Sequence, residues 1–180
     1  MIKPFRLGSF AGIPVFVRTS AVYASLAAVV IAAILSLVIW GLSPIIALIT
    51  GILAIILHWV VVFEHHYGHI VAARMTGYPI VRIVCFGLLA GDRYPKDEPT
   101  LPASIHRQRA IGGPIGSLTF AILLGVIALG LHFGVGGIVG GLAIFAFADA
   151  FFAFFIGSFI PLDIIGLETD GSVLLKYWGQ

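Results

Sequence analysis

Charge is scarce in this chain. Only 10% of its 180 residues are Asp, Glu, Lys or Arg, against about 25% in an ordinary soluble domain. So few charges provide no polar shell to face water, which excludes a soluble globular domain. A disordered chain is excluded as well, because disorder goes with low hydrophobicity and high charge. The net charge of +2 is too small to imply an acidic partner or a nucleic acid. Cysteine is almost absent: Cys85 stands alone, so no internal disulfide forms and the fold needs no oxidising compartment. Apolar residues fill the rest, at 60% of the chain with a mean hydropathy of +1.12. That is the composition of a polytopic membrane protein.

From Thr19 to Phe63 there is no charged residue. One crossing takes about 20 residues, so this run holds two spans, broken at Gly41-Leu42-Ser43-Pro44. Gly and Pro punctuate, and Pro suits a first helical turn. The spans are expected over residues 21–40 and 44–75, the second long enough to tilt or protrude. A second uncharged run, Ala110 to Ala148, is split at Gly134-Val135-Gly136-Gly137. Its spans are expected at 114–133 and 138–160. Gly112 with Gly116, and Gly137 with Gly141, have the small-xxx-small spacing of close helix packing.

Residues 76–109 form the polar remainder, with Pro79, Pro95, Pro99 and Pro102. Its β-branched start, residues 79–88, suggests one or two short strands, and residues 91–109 read as a surface loop. The expected fold is an all-α polytopic membrane protein, one domain over residues 1–180, with four spans and a short interfacial β segment. Basic residues cluster before the first span (Lys3, Arg6, Arg18), across 74–109 and after the fourth span (Lys176), while the two short turns carry none. The positive-inside rule then places both termini and the 76–109 loop in the cytoplasm. The first apolar stretch is full span length and reads as an anchor, not a cleaved signal. Trp40, Tyr177 and Trp178 suit interfacial anchoring.

The chemistry concentrates in Glu64-His65-His66-Tyr67-Gly68-His69. At about 100° per residue, His65 and His69 lie one turn apart on a common helix face. That is the spacing with which two imidazoles reach one Zn²⁺. His58 falls on the same stripe, two turns deeper. Asp149, amid Phe and Ala, must face the protein interior or water. It either orients His58 or a ligand, or is a protonated or paired packing group. His106 and His132 have no such pattern. A di-iron histidine box needs about eight histidines and this chain has 6, which disfavours that alternative. A haem between His58 and His132 is disfavoured too.

The run His65-His66-Tyr67-Gly68-His69-Ile70-Val71-Ala72-Ala73-Arg74 resembles the zinc motif of the site-2 proteases, a family of intramembrane metalloproteases. Three further stretches are similar to that family in order and spacing: Gly12-Ile13-Pro14-Val15 with Arg18 and Ser20, Gly113-Pro114-Ile115-Gly116-Ser117, and Ser158-Phe159-Ile160-Pro161 with Thr169-Asp170-Gly171. The resemblance covers nearly the whole chain. It implies a catalytic Zn²⁺ held by His65, His69 and Asp170, with an open fourth position for water. Asp163 is the rival third ligand. It also implies that the segment 79–88 presents a strand edge to an extended substrate.

Two positions depart from the family pattern. Where the motif has the glutamate that serves as general base, this chain has His66. An imidazole has a suitable pKa for that task, whereas Glu64 points about 100° to the wrong side of His65. Ser117 stands where an Asn would polarise a substrate carbonyl, and Ser158 replaces a second Asn; a hydroxyl is shorter and weaker in that role. The implied function is zinc-dependent cleavage of membrane-embedded substrates. The alternative is a catalytically impaired relative that binds metal and membrane clients without cleaving them. The expected partners are the lipid bilayer and a membrane-protein or peptide substrate, with no nucleic acid; self-association stays open.

Overall fold

The computed structural model describes residues 3–164 and 167–180. The side chain of Asp163, the rival third ligand, lies outside the described residues. The chain enters as a hairpin of β1 (Phe5–Phe10) and β2 (Ile13–Val17). Its turn runs through Ala11 and Gly12, both at positive φ (48° and 82°), the backbone hand that matches the twist of paired strands. Arg18 is extended and α1 (Thr19–Trp40) follows at once. Gly41, left-handed at φ 60°, caps α1 and donates its N–H to Leu37 O. Pro44 then sits in the first turn of α2 (Pro44–Met75), where its missing N–H costs nothing.

After α2 come β3 (Arg82–Phe86) and β4 (Leu89–Arg93), then α3 (Ala103–Gly134). Next is α4 (Gly137–Ala148), prolonged by a π-helical stretch, Asp149–Ile156, and a 3₁₀ turn, Gly157–Phe159. A minimal pair, β5 (Asp163–Ile164) and β6 (Leu167–Glu168), leads into α5 (Asp170–Lys176). Among the described residues, four helical segments are long and apolar enough to cross a membrane: Thr19–Trp40, Pro44–Met75, Ala103–Gly134 and Gly137–Phe159. The protein is an integral membrane protein of mainly helical architecture, as its composition requires.

The strands form a four-stranded sheet in the order β1-β2-β3-β4. The β2–β3 pair is parallel, with α1 and α2 as the connection, and the other pairs are antiparallel. β1 and β4 are the edge strands. The inner face of the sheet packs Val15, Val17, Ile83 and Cys85 against Ile70 and Ala73 of α2. Burial pushes the Cys85 thiol up to about 11, so it is an inert packing group.

Three features differ from the sequence expectation. The N-terminal residues form two strands of the sheet, which therefore has four strands where one or two were expected. The stretch 91–109 is not a surface loop throughout. Gly91–Arg93 completes β4, and α3 starts at Ala103, just after Pro102, and not at 114. The early turns of α3 are polar because they protrude from the apolar layer, and Pro114 lies inside the helix. The fourth span is α-helical only to Ala148, and its π-helical continuation starts at Asp149.

The α2–α3 contact is backbone against backbone. A Cβ at Gly68 would overlap the Gly112 carbonyl, and one at Gly112 would lie 2.7 Å from Gly68 O and 2.6 Å from Ala72 Cβ. Replacing Gly68 or Gly112 by Val is expected to destabilise the protein by about 1–3 kcal/mol or more, the usual cost of overpacking. Gly130, with nothing near its missing Cβ, is the control: Gly130→Ala should leave the melting temperature in detergent unchanged or raised.

Candidate metal centre

The tight α2–α3 packing sets up a polar site inside apolar surroundings. His65 and His69, both on α2 and both buried, turn toward α3. His69 Nδ1 donates to the Arg109 carbonyl at 2.8 Å. His65 Nδ1 lies 2.9 Å from Ser117 Oγ. These outer bonds fix both rings and leave the two Nε2 atoms facing each other, 3.1 Å apart. Gly113 makes room for them: a Cβ there would overlap His69 Nε2 and lie 2.6 Å from His65 Nε2.

Asp170 reaches the same point from the first residue of α5, a helix capped by the Thr169 side chain. Its Oδ2 is 3.4 Å from His65 Nε2 and its Oδ1 is 3.3 Å from His69 Nε2. The adjoining Gly171 packs directly on the Phe159 carbonyl, where a Cβ would overlap it, so Asp170-Gly171 can approach closely. Burial on its own raises the Asp170 carboxyl. Attraction to His69 and hydrogen bonds from both imidazoles outweigh that and hold it below the ordinary carboxylate range.

Two imidazole nitrogens and one carboxylate thus converge, with one ligand atom of each within 4.8 Å of the others. Donors about 2.0–2.2 Å from a single tetrahedral ion stand roughly 3.3–3.5 Å from one another. The 3.1 Å between the two imidazole nitrogens fits that arrangement, and each carboxylate oxygen of Asp170 approaches a different imidazole, at 3.4 and 3.3 Å, so His65, His69 and Asp170 can hold a metal.

These residues border a cavity of about 490 Å³, also lined by His66, Phe154, Ser158 and the edge strand from Leu89 to Asp92. His66 Nδ1 is 2.9 Å from Asp92 Oδ1, and both side chains are almost fully enclosed. Burial would raise the Asp92 carboxyl, but the attraction and hydrogen bond of His66 prevail and lower it. Asp92 was missed in the sequence because it falls in the stretch read as a loop. The available signal was strand parity: Asp92 shares a face with Ala90, on the side that meets α2.

The remaining candidates do not join the triad. Ser117 is fully buried behind His65 and does not border the cavity; its hydroxyl meets the imidazole, out of reach of a substrate carbonyl. The Ser158 hydroxyl donates to Phe155 O. Glu64 is outside the cavity lining, close to Gly116. His58 sits apart from the triad, with the Phe154 ring 5.9 Å from its own ring and 5.5 Å from that of His65. Its Nδ1 is 2.9 Å from Asp149 Oδ2 and its Nε2 2.9 Å from Leu88 O, so Asp149 orients His58 and not a triad residue. His106 stacks on Tyr177 at 4.2 Å.

No protein-family model matches the sequence, and no curated protein sequence matches it significantly. The structure is similar to that of the site-2 protease from Methanocaldococcus jannaschii, with a TM-score of 0.63 and 21% identity, covering 97% of this chain and 70% of that one. The chain therefore has a site-2 protease-like fold.

Zinc titration of the purified protein against a chromophoric chelator is expected to give one ion per chain. His65→Ala or Asp170→Ala should abolish that binding. Ser117→Ala, which removes only the outer partner of His65, should weaken it about 10–100-fold, the usual effect of losing such a contact. Absence of zinc binding by the parent chain would contradict the site.

Proposed function

We propose that this chain is an intramembrane zinc metalloprotease that hydrolyses peptide bonds of membrane-embedded substrates. The observation that carries the reading is the His65–His69–Asp170 triad opening on the same cavity as the His66–Asp92 pair, within a site-2 protease-like fold. Two imidazoles and a carboxylate are a donor set suited to zinc with an open position. Zinc bound there would polarise a water molecule and lower its pKa toward neutrality.

His66 then serves as the proton acceptor. Ionised Asp92 accepts from Nδ1–H, which leaves the lone pair on Nε2, a nitrogen with no hydrogen-bond partner among the described residues. The pair has the form of a base held in one tautomer by a carboxylate. His66 takes a proton from water as it attacks the peptide carbonyl, and returns it to the departing amine. Asp92 is a positioning residue for His66. The edge strand β4 borders the cavity and can pair with a substrate segment unwound from its helix, which exposes the scissile amide. On this reading the termini and the 76–109 loop face the cytoplasm, which the distribution of basic residues supports.

One observation favours a second reading: the glutamate position of the motif is His66. A chain without a competent base would bind metal and membrane clients but leave them intact. Cleavage of a reconstituted single-span substrate separates the two readings. The parent protein with zinc should cleave, His66→Ala should lower the rate about 10²–10⁴-fold, the usual contribution of a positioned base, and Asp92→Asn should lower it less. A parent chain that binds zinc and substrate without cleaving, while His66→Glu cleaves, would establish the second reading instead.

A further inference from the structure

Strand register sorts the charges of the four-stranded sheet by face. Direct cross-strand partners share a face, and neighbours along a strand alternate. Val15, Ile83 and Asp92 make one row, and Val17, Cys85 and Ala90 another. These rows form the inner face, which packs on α2. The opposite face carries the row Arg6, Phe16, Val84 and Gly91, and the row Arg82 and Arg93. Arg18 extends β2 (φ −84°, ψ 151°) and donates its N–H to Cys85 O at 2.9 Å. Alternation therefore puts it on the outer face beside Phe16. The basic residues of the sheet all lie on the outside, and its single acid, Asp92, lies inside, committed to His66.

This arrangement lacks a counter-charge. Arg82 stands directly opposite Arg93, a like-charged pair that destabilises a sheet. None of Arg6, Arg18, Arg82 and Arg93 forms an ion pair among the described residues. Burial lowers the Arg93 guanidinium below its ordinary value, and the charges of Arg18 and Arg82 lower it further, with only Asp92 opposing.

The depth of the face identifies what can supply the missing charge. Arg18 immediately precedes α1, whose 22 residues span about 33 Å, close to the thickness of the hydrocarbon layer. Arg18 is thus at the bilayer boundary. The β3–β4 tip is deeper: Leu88 O meets His58, next to Trp59, which bonds Ser25 two turns inside α1. Along the outer face, Phe86 and Leu89 lie level with Arg18, at the edge of the hydrocarbon. Arg82 and Arg93 lie about 13 Å farther out at the rise of a strand, and their long side chains can reach back toward the headgroup layer. Apolar groups below and guanidinium groups above match a lipid molecule, whose phosphate an arginine fork can bind in bidentate fashion.

We infer that the outer face of the sheet is a lipid-docking surface, on which Arg18, Arg82 and Arg93, flanked by Arg6, bind the phosphate of an anionic phospholipid headgroup. The four arginines do not line the cavity of the proposed metal centre, and their binding of a phosphate does not depend on it.

The test is the melting temperature of the full chain in neutral detergent, titrated with phosphatidylglycerol, phosphatidylcholine or inorganic phosphate. Phosphatidylglycerol should raise it by several degrees, and the other two much less. The Arg82→Gln/Arg93→Gln variant should require roughly 25–30-fold more phosphatidylglycerol, a factor of about five for each arginine near an anionic surface. Lys96→Gln, an exposed charge off the sheet, should respond like the parent. Relief of the Arg82–Arg93 repulsion means that the double variant should melt no lower than the parent in phosphatidylcholine. Should it fail to fold, the single exposed change Arg82→Gln gives the same readout with a smaller shift. Equal responses to phosphatidylglycerol and phosphatidylcholine, or an undiminished response in the variants, would overturn the proposal. So would an equal loss in Lys96→Gln, which indicates a general charge effect. Inorganic phosphate acting as strongly as phosphatidylglycerol would also overturn it, in favour of a free-anion site.

Discussion

The approach of α2 to α3 at Gly68 and Gly112 is the contact on which the site depends. Between helices surrounded by lipid there is no hydrophobic drive to associate, and close van der Waals packing of small residues takes its place. Here that packing has a chemical consequence. It brings the Arg109 carbonyl and the Ser117 hydroxyl within 2.9 Å of the two Nδ1 atoms, and Gly113 leaves space for the two Nε2 atoms. A side chain in the seam would push α3 outward and separate both imidazoles from their outer partners at once. The seam thus sets the distance between the helices and the direction in which the histidines point.

A second constraint is the low dielectric around the site. A polar group at this depth is costly unless it is bonded within the protein, and the bonds found here each join different elements. His58 ties α2 to the π-helical stretch through Asp149 and to the hairpin tip through Leu88 O. His66 ties α2 to β4 through Asp92. Arg109, buried in α3, holds Glu98 with two bonds and Tyr78 O with two more, and lies 3.7 Å over the Tyr94 ring. The cavity wall formed by β4 is consequently pinned at its tip by His58 and near its base by His66. The π-helical stretch has its reason in the same place, since it begins at the residue that meets His58.

The parts of this structure that were legible in the sequence are those specified by local pattern. Span length, the Gly-Pro break before α2 and the i, i+4 histidines depend only on neighbouring residues, and Asp170 came from the resemblance of Thr169-Asp170-Gly171 to the family, with Asp163 as its rival. What escaped depends on pairing between distant segments. β1 and β2 are short; β1 is mostly exposed and the apolar β2 contains Pro14, and they become strands as β2 pairs with β3 and β1 with β2. The first turns of α3 look like a loop because they are polar, and only the partners of Arg109 explain its burial. Asp92 and Asp149 are single acids whose roles appear once a register and a π-helical turn aim them at His66 and His58. The net charge of +2 similarly conceals a sheet that is basic on one face, because parity along a strand cannot be used before the strands are known.

The His66 substitution looks different once Asp92 is in view. A motif glutamate brings one negative charge and one proton acceptor to the metal on a single side chain. On the proposed reading the two are divided, with the imidazole of His66 on α2 as the acceptor and the carboxylate of Asp92 on β4 as the charge. The division has a mechanical effect that a lone glutamate lacks. The proton acceptor of the proposed reaction is held by the same edge strand that would pair with the substrate. A segment docking on β4 would then lie beside the residue that orients His66, and movement of the hairpin would alter substrate position and base geometry together. The bond from His58 to the hairpin tip opposes such movement, so a polar contact two turns below the triad bears on the chemistry above it without touching it.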